Sequence, residues 1–441
     1  MERKNMWEHY TKEQERELEE LAVRYRKCLD QSKTERECVT LSIAMAEENG
    51  YQNIEDCIRE GVTLKAGDKV YAQYMKKTLV LFIGTKPLTE GMNILGAHVD
   101  SPRLDVKQNP LYEDTQMAYL DTHYYGGVKK YQWVTIPLAI HGVVVKKDGT
   151  VVPVVIGEKE DDPVFVISDL LIHLSQDQLE KKARIVIEGE GLDLLVGTKP
   201  VKNADKDEKE KVRAWVVCYL KEAYDIEEED FLSAELEIVP SGKSRDCGFD
   251  RSMILGYGQD DKVCALTSLF AMLEAENPER TGCCILADKE EIGNMGATGM
   301  QSSFFEDMVA EVLALTGEDS PVKVRRALRN SCMLSSDVSA AYDPLSPEVF
   351  EKKNTAYFGR GLVLNKYTGS RGKNGTSDAN AEYVAKVRNV FDNNHVAFQT
   401  AELGKVDQGG GGTIAYVMAN KAMSVIDSGV AVLSMHAPYE V

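Results

Sequence analysis

The stretch Met92-Asn93-Ile94-Leu95-Gly96-Ala97-His98-Val99-Asp100 decides how the chain is read. A short apolar run ends on an imidazole and a carboxylate two residues apart, as when a buried strand delivers polar groups at its carboxyl end. The design recurs. Thr281 to Ala287 reads as a strand and runs into Asp288-Lys289-Glu290-Glu291; Ser331 to Ser336 runs into Asp337, and Val430 to Met435 into His436. Helical patterns intervene. Asp260 opens a helix carrying Val263, Leu266, Leu269, Phe270 and Leu273, and Ser377 is placed as the cap of a helix to Phe391. Alternating strands and helices predict an α/β fold, a mixed sheet with helices on both faces.

Upstream, Leu18, Leu21, Ala22, Tyr25 and Leu29 recur at 3-4 spacing, and Ser32 with Glu35 fits a capping box that starts a second helix toward Ala44. Two β-like runs follow, Lys69 to Tyr74 and Thr78 to Gly84. From about residue 106 the texture changes. Residues 131–145 and 151–156 are rich in Val and Ile with Gly and Asp-Gly turns, and Trp215 to Leu220 and Ala234 to Val239 also read as strands. The charged stretch Lys199 to Lys211 reads as a solvated loop or short helix. The simplest division is a catalytic domain in two parts, 1–105 and 241–441, interrupted by a β-rich insertion at 106–240.

Composition narrows the function. The 441 residues are 43% hydrophobic and 28% charged, an ordinary globular balance. A net charge of −19 argues against nucleic acid and anionic membrane as partners. No apolar run approaches the ~20 residues of a membrane span, and the polar N-terminus does not read as a signal peptide. Nine scattered cysteines, with no Cys-x-x-Cys pair, read as reduced thiols of a cytoplasmic protein.

The chemistry lies at the strand ends. In open α/β sheets ligands collect beyond the carboxyl ends of the strands. Two histidines and several carboxylates aimed there, without thiolates, suit Zn, Mn or Co. Singly, each residue has a bland reading: His98 or His436 as a packed histidine, Glu290-Glu291 as a solvated face, Asp337 as a helix cap. As an ordered set, with Asp260-Asp261 at a helix start, they point to a metal site.

Gly96-Ala97-His98-Val99-Asp100-Ser101-Pro102-Arg103-Leu104-Asp105 resembles the first metal motif of the aspartyl aminopeptidase / aminopeptidase I family of dinuclear zinc peptidases. Asp288-Lys289-Glu290-Glu291-Ile292-Gly293 resembles the second, with Ser336-Asp337 and Met435-His436 in matching order, over nearly the whole chain. The resemblance implies two divalent metals per subunit, zinc first, with Co or Mn as alternatives. His98 and Asp337 would hold one, Glu291 and His436 the other, and Asp260 (or Asp261) would bridge them. Asp100 would orient His98 and Glu290 would be the general base. The segment Ile167 to Leu174 resembles the one whose histidine, here His173, reaches a neighbour's metal centre, and the family builds tetrahedral dodecamers. The implied activity is a metalloaminopeptidase acting on peptide substrates. Ala340 and Tyr342 replace histidines expected after the third motif in the acid-selective branch, and Asn365 precedes Lys366 where a substrate-binding lysine is expected. A neutral residue such as Leu or Met is therefore an alternative substrate.

Other features carry less. Gly369 to Asn374 lacks the spacing of a phosphate loop. Gly409 to Gly412 reads either as an anion-facing helix start or as a tight loop. Cys283-Cys284 read as packing residues, and Tyr124 to Gly127 as a turn. Two competing functions remain: another metal amidase on the same fold, such as a carboxypeptidase or deacylase, and an inactive oligomeric scaffold.

Overall fold

The computed structural model describes residues 3–202 and 209–441. The chain forms two compact units, one of residues 1–100, 258–435 and 440–441, the other of 101–257 and 436–439.

The first unit is built on a nine-stranded mixed sheet. Its centre is four mutually parallel strands in the spatial order Gly282–Ala287, Asn93–His98, Cys332–Ser335 and Ser424–Gly429. Ala287 pairs with His98, and Ser335 with Gly96, so the carboxyl ends of these strands lie level. Thr78–Ile83 and Leu362–Asn365 flank this core antiparallel. Alternation along the strands supplies two cores. Val80, Phe82, Ile94, Ile285 and Met333 pack on one face with the helices Phe304–Leu315 and Pro321–Asn330. Leu79, Leu81, Ala97, Cys284 and Leu286 pack on the other with Glu35–Glu48 and Gln259–Glu274. A strand interior covered on both faces requires side chains that are apolar in both directions. Cys283 and Cys284 fill that role, one facing each core.

Several boundaries differ from the sequence reading. The capping box of the second helix is made by Thr34 and Glu37, not by Ser32 and Glu35. Ser32 instead donates its hydroxyl to the Cys28 carbonyl, closing the first helix, and buried Glu35 pairs with Lys77 at 3.1 Å. The helix Ala381–Asn393 begins after Asn380, not after Ser377. The strand expected at Val430 to Met435 is Ser424–Gly429, followed only by the two-residue Ala431–Val432. Its Asp427 and terminal Gly429 masked it. Gly429 has a reason: a Cβ there would sit 1.8 Å from the Asp337 carbonyl oxygen, so only glycine lets this strand pass.

The second unit is a six-stranded antiparallel sheet, in order Val151–Ile156, Leu138–Val145, Ala234–Pro240, Arg103–Asp114, Met117–Tyr125 and Leu194–Gly197. Its core gathers around fully buried Trp133. Residues 101–105 and 241–257 belong to this unit rather than to the flanking segments. The strand Arg103–Asp114 pairs Leu104 with Ile238, and the Tyr257 hydroxyl donates to the Pro102 carbonyl. The expected strand Trp215 to Leu220 is part of a helix, Lys211–Tyr224. Of the charged stretch 199–211, residues 203–208 lie outside the described residues. Among the described residues, no helix is long and apolar enough to cross a membrane.

Candidate metal centre

The site of the first unit is assembled where its parallel strands end. His98 is the last residue of its strand and is buried. Its Nδ1 faces two oxygens of Asp100, the carbonyl at 3.0 Å and Oδ1 at 3.3 Å. Its Nε2 lies 3.1 Å from Asp260 Oδ1. Asp100 is itself fully buried, and its two carboxylate oxygens accept the backbone N–H groups of Glu290 and Glu291, each at 3.2 Å. One carboxylate thus fixes the imidazole of the first motif and the turn of the second. That turn is a short 3-10 helix, Glu290–Ile292, between Lys289 and Gly293, which both adopt left-handed backbone.

One donor atom each from His98, Asp260 and Asp337 lie within 4.8 Å of one another, and the same holds for His98, Glu290 and Glu291. Asp261 is placed differently: its Oδ2 accepts the backbone N–H of His98 at 3.3 Å. Asp260 is held from behind by a residue the sequence reading missed. Glu440, buried, accepts the Asp260 N–H at 2.9 Å, and its carbonyl accepts from the Gln259 amide at 2.8 Å. Its local sequence, Tyr439-Glu440-Val441, carries no motif, so only the tertiary contact reveals it.

The electrostatics call for a cation. Burial opposes a charge on His98, but Asp100, Asp260, Asp261 and Asp337 outweigh it and hold the imidazole well above the usual histidine range. Burial, reinforced by repulsion from Asp260 on both and from Asp261 on Asp337, pushes the carboxyls of Asp261 and Asp337 well above the usual carboxylate range. Both ring nitrogens of His98 face oxygens, Nδ1 those of Asp100 and Nε2 that of Asp260. His98, Asp260 and Asp337 would hold a divalent cation, whose charge would offset the crowded carboxylates. Neutral imidazole and carboxylate donors suit zinc and its neighbours in the transition series, so the residues present fit such an ion.

The remaining site residues lie as follows. His436 belongs to the second unit, where its Nδ1 is 2.9 Å from the Gly127 carbonyl oxygen. His173 sits exposed in a 3-10 turn of that unit. Lys366 follows the strand Leu362–Asn365 and pairs with Asp378 at 2.8 Å. Tyr342 packs its ring against Phe350 and Tyr357, each at 5.4 Å between centroids. The glycine run 409–412 is a tight loop. A Cβ on Gly409 would sit 1.7 Å from the Leu403 carbonyl oxygen, and one on Gly410 2.4 Å from the Ser370 Cα, so these glycines admit close backbone neighbours.

The family model for aminopeptidase I zinc metalloproteases (M18) matches residues 28–441. A probable M18 family aminopeptidase 1 of Clostridium acetobutylicum is 61% identical over 439 residues, covering 99% of this chain and 94% of its own. The crystal structure of an M18 aminopeptidase from Thermotoga maritima superimposes with a TM-score of 0.94 at 45% identity, over 100% of this chain and 95% of that one. A more distant match, the Saccharomyces cerevisiae mApe1 dodecamer, has a TM-score of 0.76 at 20% identity, over 96% and 93% of the two chains, and likens the fold alone.

Proposed function

The chain belongs to the aminopeptidase I zinc metalloprotease family (M18), and we propose that it releases N-terminal residues from peptides with two divalent metal ions, zinc first among them. The observation that carries this reading is the convergence of His98, Asp260 and Asp337, with Glu290 and Glu291 hung on the carboxylate of Asp100. His98 and Asp337 would hold one ion, Glu291 and His436 the other, and Asp260 would bridge. When bound, such a pair polarises the scissile carbonyl and acidifies the attacking water.

The chain's own residues do the rest. Glu290 takes a proton from that water and hands it to the leaving amine. Glu290 and Glu291 adjoin on one short turn, so their carboxylates divide the tasks of base and ligand. Asp100 keeps the proton of His98 on Nδ1 and directs Nε2 outward. The Gly127 carbonyl does the same for His436, accepting from Nδ1. Lys366 is paired with Asp378, and Tyr342 is packed among aromatic rings. Both arrangements favour a neutral N-terminal residue over an acidic one.

We place the second unit in a homo-oligomer, where His173 completes a neighbour's site. Around His173, Leu171, Ile172 and Leu174 are 54%, 66% and 68% exposed, an apolar patch suited to a second copy. A tetrahedral dodecamer is the assembly this reading expects, as the mApe1 structure is a dodecamer.

The test is Glu290→Gln assayed on a free and an N-acetylated peptide. The wild type cleaves only the free peptide. The variant keeps its fold and its metal content while kcat falls by about 10²–10⁴, the worth of a positioned acid–base group. Near-normal turnover, or cleavage of the blocked peptide by the wild type, would refute the reading.

A further inference from the structure

A cavity of about 410 Å³ opens in the first unit, away from the metal centre. One wall is the helix Pro321–Asn330, and the other is the turn 420–422. From these two walls the chain enters neighbouring parallel strands, Cys332–Ser335 and Ser424–Gly429, whose first residues pair. The cavity therefore lies at the amino ends of the parallel strands, whereas His98 and the carboxylates around it lie at the carboxyl ends. The helix buries Ala327 and Leu328 in the core. Val322, Arg325, Arg326 and Arg329, at 3-4 spacing and exposed, line the cavity. Its volume falls within the range of about 300–1,000 Å³ typical of ligand pockets.

The charge of this lining is uncompensated. Among the described residues, no carboxylate pairs with Arg325, Arg326 or Arg329. The one carboxylate of the wall, Glu306, is engaged by Lys421. The last carbonyl of the helix, that of Asn330, accepts from Arg280 at 2.7 Å, so the three arginines are not spent on the end of their own helix. The chain as a whole has 71 acidic residues against 52 basic ones, which makes three neighbouring guanidinium groups without an acid the exception. Like charges three and four residues apart on a helix repel, and a bound anion relieves that repulsion. The chemistry of the anion follows from the donors. A guanidinium offers two parallel N–H groups in a planar fork, which matches two oxygens of a phosphoryl group. At 1.5 Å of rise per residue, Arg325 and Arg329 stand about 6 Å apart along the helix. That span suits several linked phosphoryl groups better than one compact phosphate.

We propose that this cavity binds a short polyphosphate chain, free or carried by a nucleotide, through Arg325, Arg326 and Arg329. The site shares no residue with the metal centre at the other end of the strands.

The experiment uses the full chain, metal-loaded and in its native assembly, with tripolyphosphate as the probe and calorimetry as the readout. Tripolyphosphate is expected to bind once per chain, more tightly than orthophosphate, and to weaken as salt is raised. Arg325→Ala and Arg329→Ala should each weaken it about tenfold, the worth of one hydrogen bond between charged groups, and the double variant about a hundredfold. These side chains are exposed and alanine favours the helix, so the variants keep their fold. Val322→Glu, which sets a carboxylate among the arginines, should weaken binding with all three still present. Lys323→Ala is the control. It removes the same charge from the same helix, but Lys323 lies outside the cavity and pairs with Glu318 at 3.6 Å, so binding should match the wild type. ATP in parallel separates the two sources: binding as tight as that of tripolyphosphate admits nucleotides, much weaker binding confines the site to free polyphosphate, and both support it. Several results would overturn the proposal. They are the absence of saturable binding to the wild type, orthophosphate bound as tightly as tripolyphosphate, or a loss in Lys323→Ala equal to that in Arg325→Ala, which would mean a diffuse field. Undiminished binding by the double variant would do the same, since it would place the anion on the metals.

Discussion

Replacing Asp100 by Asn tests the arrangement at its most connected point. The two side chains have the same size, so the change removes charge and one acceptor without opening a cavity. In the native site both carboxylate oxygens accept backbone N–H groups, from Glu290 and from Glu291, and Oδ1 also faces His98 Nδ1. An asparagine has one oxygen to offer; its NH2 must face one of those donors. A buried donor left without its acceptor costs about 1–3 kcal/mol. The Glu290–Glu291 turn then shifts, and His98 loses a partner that fixes its tautomer. Partners of this kind are worth about 10–100-fold in metal affinity. Asp100→Asn is therefore expected to bind zinc about 10–100-fold more weakly in competition with a chelating dye, and to turn over more slowly even when saturated with zinc. The Asp100 backbone carbonyl still accepts from His98, so binding is weakened and not lost. Unchanged zinc affinity together with unchanged turnover would refute the argument, because it would mean that neither the turn nor the ring depends on this carboxylate.

Asp260→Asn should disturb both metals, measured as metal content per chain, whereas Asp261→Asn should mainly loosen the His98 backbone contact; the reverse result would move the bridging role to Asp261. His173→Ala should be folded, metal-loaded and nearly inactive, and co-assembly with Glu290→Gln should restore part of the activity; a mixed oligomer verified by native mass spectrometry that shows no recovery would refute the trans role. Asp427 is buried, and burial, opposed by the hydroxyls of Thr413 and Ser335, raises its pKa from 3.8 to about 7. Between those values the folded chain keeps a proton that the unfolded chain has lost, so this residue lowers stability progressively as pH rises through the window. Asp427→Asn should accordingly raise the unfolding free energy at pH 8, read from denaturant titration, by up to about 4 kcal/mol at 1.36 kcal/mol per pKa unit, and the gain should fade toward pH 4.

The strand ends were legible because each couples a local pattern to a local consequence. An apolar run that stops on His98, on Asp288 or at Asp337 states both where the strand ends and what it delivers. Other elements depended on partners far along the chain. Trp215 to Leu220 reads as a strand by residue type, yet it is helical. Val212, Val216 and Leu220 recur at helical spacing, and the helix start is fixed by Glu113, whose carboxylate accepts the N–H groups of Val212 and Arg213 from about a hundred residues away. No window of sequence holds both ends of that cap. Ser32-x-x-Glu35 and Thr34-x-x-Glu37 are equivalent patterns two residues apart; what separates them is the Cys28 carbonyl, which engages Ser32 and leaves Thr34 to start the next helix.

The same distinction explains why the candidate ligands were readable and their supports were not. A metal ligand must be a particular residue type at the end of a rigid element, and both conditions leave a mark in sequence. A support needs only an oxygen or an N–H group at the right place, and any part of the chain can supply it. Glu440 supports Asp260 from the far end of the chain, and a backbone carbonyl at Gly127 supports His436. Asp100 falls between the two cases. Its place two residues after His98 was visible, but its larger task was not: it accepts the backbone of Glu290 and Glu291, about 190 residues downstream. That contact ties the first and second motifs together through buried, charge-assisted hydrogen bonds, which are shorter-ranged but stronger than attraction between exposed charges. The positions of the proposed general base and of its neighbouring proposed ligand therefore depend on a carboxylate whose own oxygens are taken up by backbone N–H groups and by His98.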